Sequence, residues 1–353
     1  MRTAHPVLFP GEFCGVCPLT QCAEANTDAA CSGGRRNQNT IHPGNWSVLE
    51  QRIAWAPTAV GILGDMDVPP LPAYMPRVPR EVDPAALETL PTTAVALSLH
   101  DFMLLTSRKA DAAPLRDHLR LGRRALVVIG ADHDRTCDAY WCNWKTVARR
   151  LADNPPDLIV GPDLSFYEED SAAARLVNFN SHTAMYVDLV KLGLPTLVPF
   201  GWVYRSDVDR FVAWATEWSV PGAFVDLQRR TPVSAFHAVV RDLAAMADRF
   251  PPGFTWLVNG VQRPERMRML HKVLGDVRFT SAGPWQKARS GHVFAADSLQ
   301  VQPTGLSVAD AFSQSVRAMT AAAQPALQLH SSDPSAATRG YRRGLQPARP
   351  AGR

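Results

Sequence analysis

The sequence predicts an α/β fold in which parallel strands close into a TIM-type (β/α)8 barrel. Between residues 125 and 279, short apolar segments alternate with helical segments of about 10 to 15 residues, a pattern typical of parallel sheets. Polar residues follow these apolar segments, as at the carboxyl ends of barrel strands, where barrel enzymes place their sites. The chain of 353 residues is 46% hydrophobic, enough for one large barrel domain with extra segments. A doubly wound open sheet is the alternative, but the sequence has no Gly-x-Gly-x-x-Gly turn to support it.

The predicted strands are apolar segments bounded by turn residues. They cover residues 95–99, 125–129, 157–160, 195–199, 222–227, 254–258 and 276–279. Helices are predicted over residues 115–121, 176–192, 207–218, 236–249, 264–274 and 308–323. The helix at 264–274 has the clearest ends, because Pro264 and Glu265 suit a first turn and Gly275 ends the helix.

Two further segments are predicted to lack long regular structure. Residues 46–91 contain many prolines, which interrupt helices and strands, so they are expected to form a connecting segment on the surface. Residues 281–291 are expected to form a loop whose special residues indicate a site. These residues are Pro284, Trp285, Lys287, Arg289 and Gly291. The predicted organisation is a Cys-rich segment at 1–50, the barrel at 51–300, and a helix with a tail at 301–353.

The N-terminal segment contains four of the six cysteines with the spacing C-x2-C-x4-C-x8-C, at Cys14, Cys17, Cys22 and Cys31. In a reducing compartment, such clustering indicates a metal site before disulfides. Four thiolates suit a tetrahedral structural Zn²⁺, with His42 as a substitute ligand. An iron–sulfur cluster would use the same ligands, and a loop with free thiols is the remaining alternative.

Charge and hydropathy permit several partners. A formal net charge of +4 allows a nucleic-acid partner without demanding one. The sequence has no run of about 18 apolar residues and no signal-peptide core, so we expect a cytosolic protein without a membrane partner. Residues 324–353 predict a disordered basic tail, which would add a salt-sensitive attraction to nucleic acid. The arginines of this tail are Arg339, Arg342, Arg343, Arg349 and Arg353.

Carboxylates that follow predicted strands are the candidate catalytic groups. They are Asp132, Asp134, Asp163 and Asp226. The carboxyl ends of the strands form the face where barrel enzymes place their sites. Each of these aspartates could instead cap the helix that follows it.

Other candidate groups are aromatic, basic or metal-binding. Trp202 and Trp285 could sandwich an extruded base or belong to the core. Lys287 and Arg289 could contact phosphate or form a solvated charge pair. A second metal site could combine His133, Cys137 and Cys142, and buried free thiols are the alternative.

Two stretches beside the last predicted strands carry a resemblance to a known family. Val261-Gln-Arg-Pro-Glu265 joins these strands, and Pro284-Trp-Gln-Lys-Ala-Arg-Ser-Gly-His-Val-Phe294 follows the last one. They resemble the V-G-K-P-E turn and the P-T-R-N-A-R-N-G-H-L-F ending of the guanine transglycosylases, which exchange a base in tRNA or DNA. The Trp285-x-x-Ala-Arg-x-Gly pattern resembles the branch that inserts 7-deazaguanine bases into DNA, found in phages and some bacteria. The resemblance covers roughly residues 125–294.

The resemblance implies roles for the aspartates. The stretch Asp157-Leu-Ile-Val-Gly-Pro-Asp163 is similar to the family's D-I-I-M-A-F-D strand, so Asp163 would bind the exchanged base. The stretch Gly130-Ala-Asp132 stands in the place of the D-S-G-G-F motif, whose Asp is a catalytic group of the first strand. Asp134 is an equal candidate for that role.

The resemblance also implies substrate contacts. Residues 198–204 are similar to the family's V-Q-G-G-V-Y stretch, in which the glutamine contacts the base. Here Pro199 or Phe200 replaces that glutamine, and Gly201 keeps the close approach of the backbone. The substrate contacts expected in this sequence are Gly201, Trp202, Gly260, Trp285, Lys287 and Arg289.

The last predicted strand departs from the family, because the family's nucleophilic Asp falls on Thr280. A carboxylate can form the glycosyl intermediate without a separate base, whereas a threonine hydroxyl cannot easily do so. Either another carboxylate attacks the sugar, or the barrel does not catalyse the exchange.

The function implied by the resemblance is a DNA guanine transglycosylase. Such an enzyme removes guanine from DNA and inserts a 7-deazaguanine such as 7-cyano-7-deazaguanine, which masks the DNA from restriction enzymes. The zinc module of the tRNA enzymes follows their barrel and is missing here, which favours DNA over tRNA as the polymer. The alternatives are a tRNA-exchanging enzyme, a barrel that binds nucleic acid without catalysis, and an iron–sulfur enzyme; the oligomeric state stays open.

Overall fold

The computed structural model of the chain describes residues 68–107, 115–168, 170, 172–228, 232–250, 253–296 and 298–328. Eight strands form a closed barrel in sequence order, and every strand is parallel to its two neighbours. The predicted (β/α)8 barrel is therefore confirmed. The Cys-rich segment, with Cys14, Cys17, Cys22, Cys31 and His42, and the basic tail beyond residue 328 lie outside the described residues.

The barrel strands agree closely with the predicted apolar segments. They are β1 (Tyr74–Val78), β2 (Ala94–Ser98), β3 (Ala125–Ile129), β4 (Leu158–Val160), β5 (Thr196–Pro199), β6 (Gly222–Asp226), β7 (Thr255–Asn259) and β8 (Val277–Ser281). From β2 onward, each strand coincides with a predicted segment to within two residues at either end.

The first strand corrects the prediction of a connecting segment at residues 46–91. Strand β1 has the sequence YMPRV, in which Pro76 and Arg77 interrupt the apolar run that identifies the other strands. It pairs with β8 from Tyr74 to Pro76 and with β2 from Arg77 to Val78. Pro76 therefore lies where the pairing passes from one neighbour to the other, so the strand loses little from its missing N–H.

Helices, some of them only four or five residues long, surround the barrel. They are α1 (Pro84–Glu88), α2 (Leu99–Leu105), α3 (Leu115–His118), α4 (Asp134–Cys142), α5 (Trp144–Asp153), α6 (Ala172–Lys191), α7 (Arg205–Glu217), α8 (Val233–Ala247), α9 (Pro264–Leu274), α10 (Gly283–Arg289) and α11 (Val308–Gln328). A small antiparallel hairpin, β9 (His292–Phe294) with β10 (Val301–Pro303), lies between α10 and α11. The predicted loop at 281–291 was wrong, because Pro284 opens the one-to-two-turn helix α10.

Buried side chains form one cluster inside the barrel and a shell outside it. The inner cluster takes alternate residues of the strands, among them Met75, Ala96, Val127, Val160, Leu197, Phe224 and Leu257. The residues between them pack outward against the helices, and α11 joins this shell through Phe312 and Met319. Because side chains alternate along a strand, Asp226 and Asn259, two positions beyond Phe224 and Leu257, also point into the barrel.

Candidate active site

A cleft of about 730 Å³ opens at the carboxyl ends of the barrel strands. Its walls come from β1 and from the segments after β2, β3, β4, β5, β6 and β8. Five described acidic side chains line it: Asp101, Asp132, Asp163, Glu168 and Asp226. Three of the four predicted catalytic aspartates therefore share one cleft, on the face where barrel enzymes bind substrates. Asp134 begins α4, and its side chain lies outside the described part of the structure.

A close backbone contact brings Asp132 and Asp163 to the same cleft. The N–H of Gly130 donates to the carbonyl of Val160 at 2.9 Å, and the N–H of Asp163 donates to the carbonyl of Gly130 at 3.1 Å. A Cβ atom on Gly130 would lie 2.2 Å from the carbonyl oxygen of Gly161. Only glycine fits there, and its absent side chain allows the ends of β3 and β4 to join.

The motif at Gly130 follows the third barrel strand, whereas the resemblance placed its aspartate on the first strand. Asp132 Oδ1 accepts a hydrogen bond from the N–H of His133 at 2.7 Å, which fixes the carboxylate at the start of α4. The thiol of Cys137 donates to the carbonyl of Gly130 at 3.4 Å. Burial raises the pKa of the Tyr140 hydroxyl, and the nearby negative charge of Asp132 raises it further.

The second metal site is not formed. Within the described ranges, no group of three or more His, Cys, Asp or Glu side chains is arranged to hold a metal ion. Cys137 is buried and Cys142 is exposed, and neither forms a disulfide among the described residues. The alternative of buried thiols therefore holds for Cys137, whereas Cys142 is exposed.

Asp163 lies beside a buried histidine. His182 Nε2 is 3.8 Å from Asp163 Oδ1 and accepts a hydrogen bond from the N–H of Leu164 at 2.7 Å. A backbone N–H can only donate, so His182 Nε2 is the acceptor of the bond to Leu164. His182 therefore holds the segment after β4 that presents Asp163 to the cleft.

Asp226 is oriented by two N–H groups. Asn259 Nδ2 donates to Asp226 Oδ1 at 3.1 Å, and the N–H of Gln228 donates to the same oxygen at 3.0 Å. Asn259 pairs in register with Asp226 on one side and with Thr280 on the other. This row of three polar residues closes the barrel interior at its carboxyl end.

Thr280, the position where the family has its nucleophile, is fully buried at 0% exposure. Thr280 Oγ1 and Asn259 Oδ1 have no hydrogen-bond partner among the described residues. A side chain without access to the cleft cannot attack a sugar there. If the barrel forms a glycosyl intermediate, the described carboxylates that line the cleft are the candidate nucleophiles.

Arg77 is a cleft residue that the sequence analysis missed. Its Nη2 donates to the carbonyl of Ala131 at 3.0 Å, directly before Asp132. It lines the cleft with Arg289, so two guanidinium groups stand among the five acidic side chains. The sequence feature that could have identified it is a single basic residue in the strand YMPRV. The prolines on either side of Arg77 led to the prediction of a connecting segment instead.

Both predicted tryptophans line the cleft, and each packs against another ring. Trp202 stacks on Phe200 with the ring centroids 4.8 Å apart and 14° between the planes, and its Nε1 donates to Asp242 Oδ2 at 3.0 Å. Trp285 contacts Phe312 edge to face, with the ring centroids 5.4 Å apart. The two rings are therefore fixed parts of the cleft wall.

The predicted basic contacts divide between two faces of α10. Arg289 lines the cleft together with Trp285, which precedes it by one helical turn. Lys287 does not line it among the described residues, because two positions along a helix turn a side chain to a different face. The loop prediction could not distinguish these positions, since it lacked the helical period.

The two predicted glycine contacts have structural causes. A Cβ atom on Gly201 would lie 2.6 Å from the ring of Phe166, so the close neighbour of Gly201 is a side chain of the cleft itself. Gly260 has φ +87°, and a Cβ there would lie 2.7 Å from the backbone of Gln228. Gly201 lines the main cleft, whereas Gly260 lines a smaller cleft beside it.

A buried ion pair supports the rim of the cleft that carries Phe166, Tyr167 and Glu168. Arg175, 6% exposed, lies 3.2 Å from the carboxylate of Asp207, and its Nη1 donates to the carbonyl of Asp170. The segment after β4 is thereby tied to the start of α7 after β5.

Comparisons with known proteins do not name a family. No protein-family model matches the chain, and no curated protein matches it significantly. In the described part of the chain, no helix is both long enough and apolar enough to cross a membrane.

Proposed function

We propose that the chain is a guanine transglycosylase that exchanges guanine in DNA for a 7-deazaguanine base. The observation that carries this proposal is the convergence of Asp132, Asp163 and Asp226 in one aromatic-walled cleft. Base exchange needs carboxylates on both sides of a glycosidic bond and a pocket for a base taken out of the stack. A volume of about 730 Å³ lies within the range of small-molecule sites and accommodates one flipped nucleotide.

The reaction has two half-reactions at the anomeric carbon. In the first, a carboxylate oxygen bonds to the anomeric carbon, the bond to guanine N9 breaks, and guanine leaves with the electron pair and takes up a proton. In the second, the corresponding nitrogen of the incoming 7-deazaguanine gives up its proton and attacks the same carbon, and the carboxylate leaves. The exchange therefore consumes no water and no energy-rich co-substrate.

We assign the attacking carboxylate to Asp226. It lies at the carboxyl end of β6, in register with Asn259 on β7 and, through Asn259, with Thr280 on β8, the position where the family has its nucleophile. Two N–H groups fix its orientation. Asp163 would hold the base, as the resemblance implies. Asp132, which follows the neighbouring strand, would give a proton to the leaving guanine and take one from the incoming base. Strands lie about 4.8 Å apart, so β6, two strands away from β4, leaves room for the sugar between Asp226 and Asp163.

The four N-terminal cysteines belong to the proposal as a structural Zn²⁺ site. The donor set of Cys14, Cys17, Cys22 and Cys31 fits the charge and softness of zinc. Zinc would stabilise that segment, and no step of the exchange depends on it.

A second candidate function is a barrel that binds nucleic acid without turnover. The burial of Thr280 at the family's nucleophile position favours it, because this residue cannot reach the cleft. In that case Asp226→Asn would leave nucleic-acid binding and the biological effect intact.

The test uses the purified full chain with duplex DNA and, separately, unmodified tRNA, each with 7-cyano-7-deazaguanine present. Nucleoside mass spectrometry then measures incorporation. The proposal expects the deazaguanine in DNA only, whereas incorporation into tRNA only would assign the polymer to tRNA. Binding of DNA without incorporation into either polymer would favour the second candidate.

A further inference from the structure

A second cleft, of about 370 Å³, opens beside the main one, between the segments that follow β6, β7 and β8. The two clefts share the lining residues Leu227, Gln228, Ala282 and Gln286. A molecule that occupies the main cleft can therefore extend into the second cleft without leaving the surface.

The second cleft has the opposite charge to the main one. Arg263 and Arg266 line it, and no acidic side chain does so among the described residues. The guanidinium group of Arg266 lies over the ring of Phe236, 4.5 Å from its centroid. Burial and the positive charge of Arg263 lower the pKa of Arg266. Two like charges beside each other, in a wall whose described residues include no carboxylate, favour a bound anion.

The remaining wall supplies uncharged hydrogen-bond donors. Amide side chains of Gln228, Gln262 and Gln286 line the second cleft. Gly283 leaves room for the Gln262 amide, because a Cβ there would lie 2.6 Å from Gln262 Nε2. The cleft therefore combines two fork-shaped cations with several amide groups, a donor set that matches the oxygens of a phosphoryl group.

The position in the fold supports the same ligand. In TIM barrels, phosphate groups frequently bind at the loops after the seventh and eighth strands, beside a short extra helix. Here the cleft lies after β7 and β8, and the short helix α10 forms one wall through Gly283 and Gln286.

We propose that the second cleft is a phosphate-binding subsite for the polymer, which receives the backbone phosphate next to the nucleotide in the main cleft. The identity of the polymer rests on the proposed function, whereas the phosphate chemistry rests on the cleft alone. The main cleft, rich in carboxylates, then faces a sugar that becomes positive in the transition state, while Arg263 and Arg266 hold the negative backbone. A free phosphorylated small molecule offers the same chemistry and is separated from the polymer by the test.

The test is a scan with neutral phosphates. Fluorescent duplex oligonucleotides each carry one methylphosphonate linkage at successive positions, and fluorescence anisotropy measures their binding to the full chain. We expect one linkage position at which the neutral group weakens binding about tenfold. The variants Arg263→Gln and Arg263→Gln/Arg266→Gln should bind unmodified DNA more weakly, lose the effect at that position, and show a salt dependence less steep by about 1 in log–log slope per lost contact.

Arg268→Gln is the matched control, because Arg268 lies on the same helix, pairs with Glu265 on the exposed surface, and is not in the cleft. It removes the same charge and should keep both the position effect and the affinity. Arg263 is exposed, so its single variant tests the subsite even if the double variant is unstable. Circular dichroism confirms folding of each variant.

Inorganic phosphate forms the second arm, in which thermal unfolding is compared in phosphate and chloride at equal ionic strength. Stabilisation by phosphate that Arg263→Gln abolishes, without any binding of DNA, would assign the cleft to a small phosphorylated molecule and overturn the polymer proposal. An Arg263→Gln variant that equals Arg268→Gln in both arms would overturn the subsite altogether. The chain could still bind more weakly to DNA with the methylphosphonate at one position and yet exchange no base. That result would support the phosphate subsite and refute only the proposed function.

Discussion

Gly130→Ala tests whether the contact between the ends of β3 and β4 organises the site. The added Cβ atom would lie 2.2 Å from the Gly161 carbonyl oxygen and 2.6 Å from the nitrogen of Pro162, both backbone atoms. This is about 1 Å closer than such atoms ordinarily approach, so the two strand ends must separate. Overpacking of this kind costs about 1–3 kcal/mol, and the backbone location of the clash favours the upper end.

The assay is thermal and urea unfolding of Gly130→Ala beside the control Gly161→Ala. A Cβ atom on Gly161 meets only the side chain of Met185, at the ordinary distance of 3.9 Å, so the control should lie within about 0.5 kcal/mol of the wild type. For a domain of this size, we expect Gly130→Ala to lower the melting temperature by about 6 °C. Equal stability of the two variants would refute the argument that Gly130 is required for this approach.

Three further predictions concern burial, charge and metal. Tyr186→Phe should stabilise the protein by about 1 kcal/mol, because the buried hydroxyl has no hydrogen-bond partner among the described residues. Burial raises the pKa of Tyr186 above its ordinary value of 10.0. The free energy of unfolding should therefore be unaffected by this group below pH 10 and should decrease above pH 10, because Tyr186 then ionises in the unfolded chain but not in the folded one. Urea unfolding should show a smaller alkaline loss in Tyr186→Phe than in the wild type, and an equal loss would contradict this. Arg175→Met should cost about 1.5–3 kcal/mol, because the buried carboxylate of Asp207 loses one arginine partner and keeps Arg210; a loss below about 0.5 kcal/mol in chemical unfolding would refute this role. Cys17→Ser should lower the zinc content from about one ion per chain, measured by elemental analysis, and a wild type without zinc would end the zinc proposal.

The sequence predicted the barrel because its strands are short, apolar and evenly interrupted. It failed at β1, where Pro76 and Arg77 break the apolar run, although long-range pairing with β2 and β8 still forms the strand. It also failed at α10, since seven residues that include Pro284 and Gly283 are too few to show a helical period. Both errors concern elements whose conformation depends on distant partners rather than on local pattern.

The site was predictable where function follows from a position at the end of a strand. Asp132, Asp163 and Asp226 could be selected because each follows an apolar segment, and the structure brings them to one cleft. Arg77 was missed with its strand, and the burial of Thr280 depends on the pairing of β7 with β8, which a sequence does not display.

The central claim is that Asp226 attacks a sugar in the main cleft, and the rate of 7-cyano-7-deazaguanine incorporation into DNA tests it most directly. Asp226→Asn keeps the size of the side chain and removes the nucleophile, so incorporation should fall by about 10³-fold or more while DNA binding persists. Asp153→Asn, at the exposed end of α5, is the control for loss of one carboxylate and should incorporate at the wild-type rate. Asp226→Asn that matches Asp153→Asn would contradict the assignment, and a wild type that binds DNA without incorporation would contradict the proposed exchange itself.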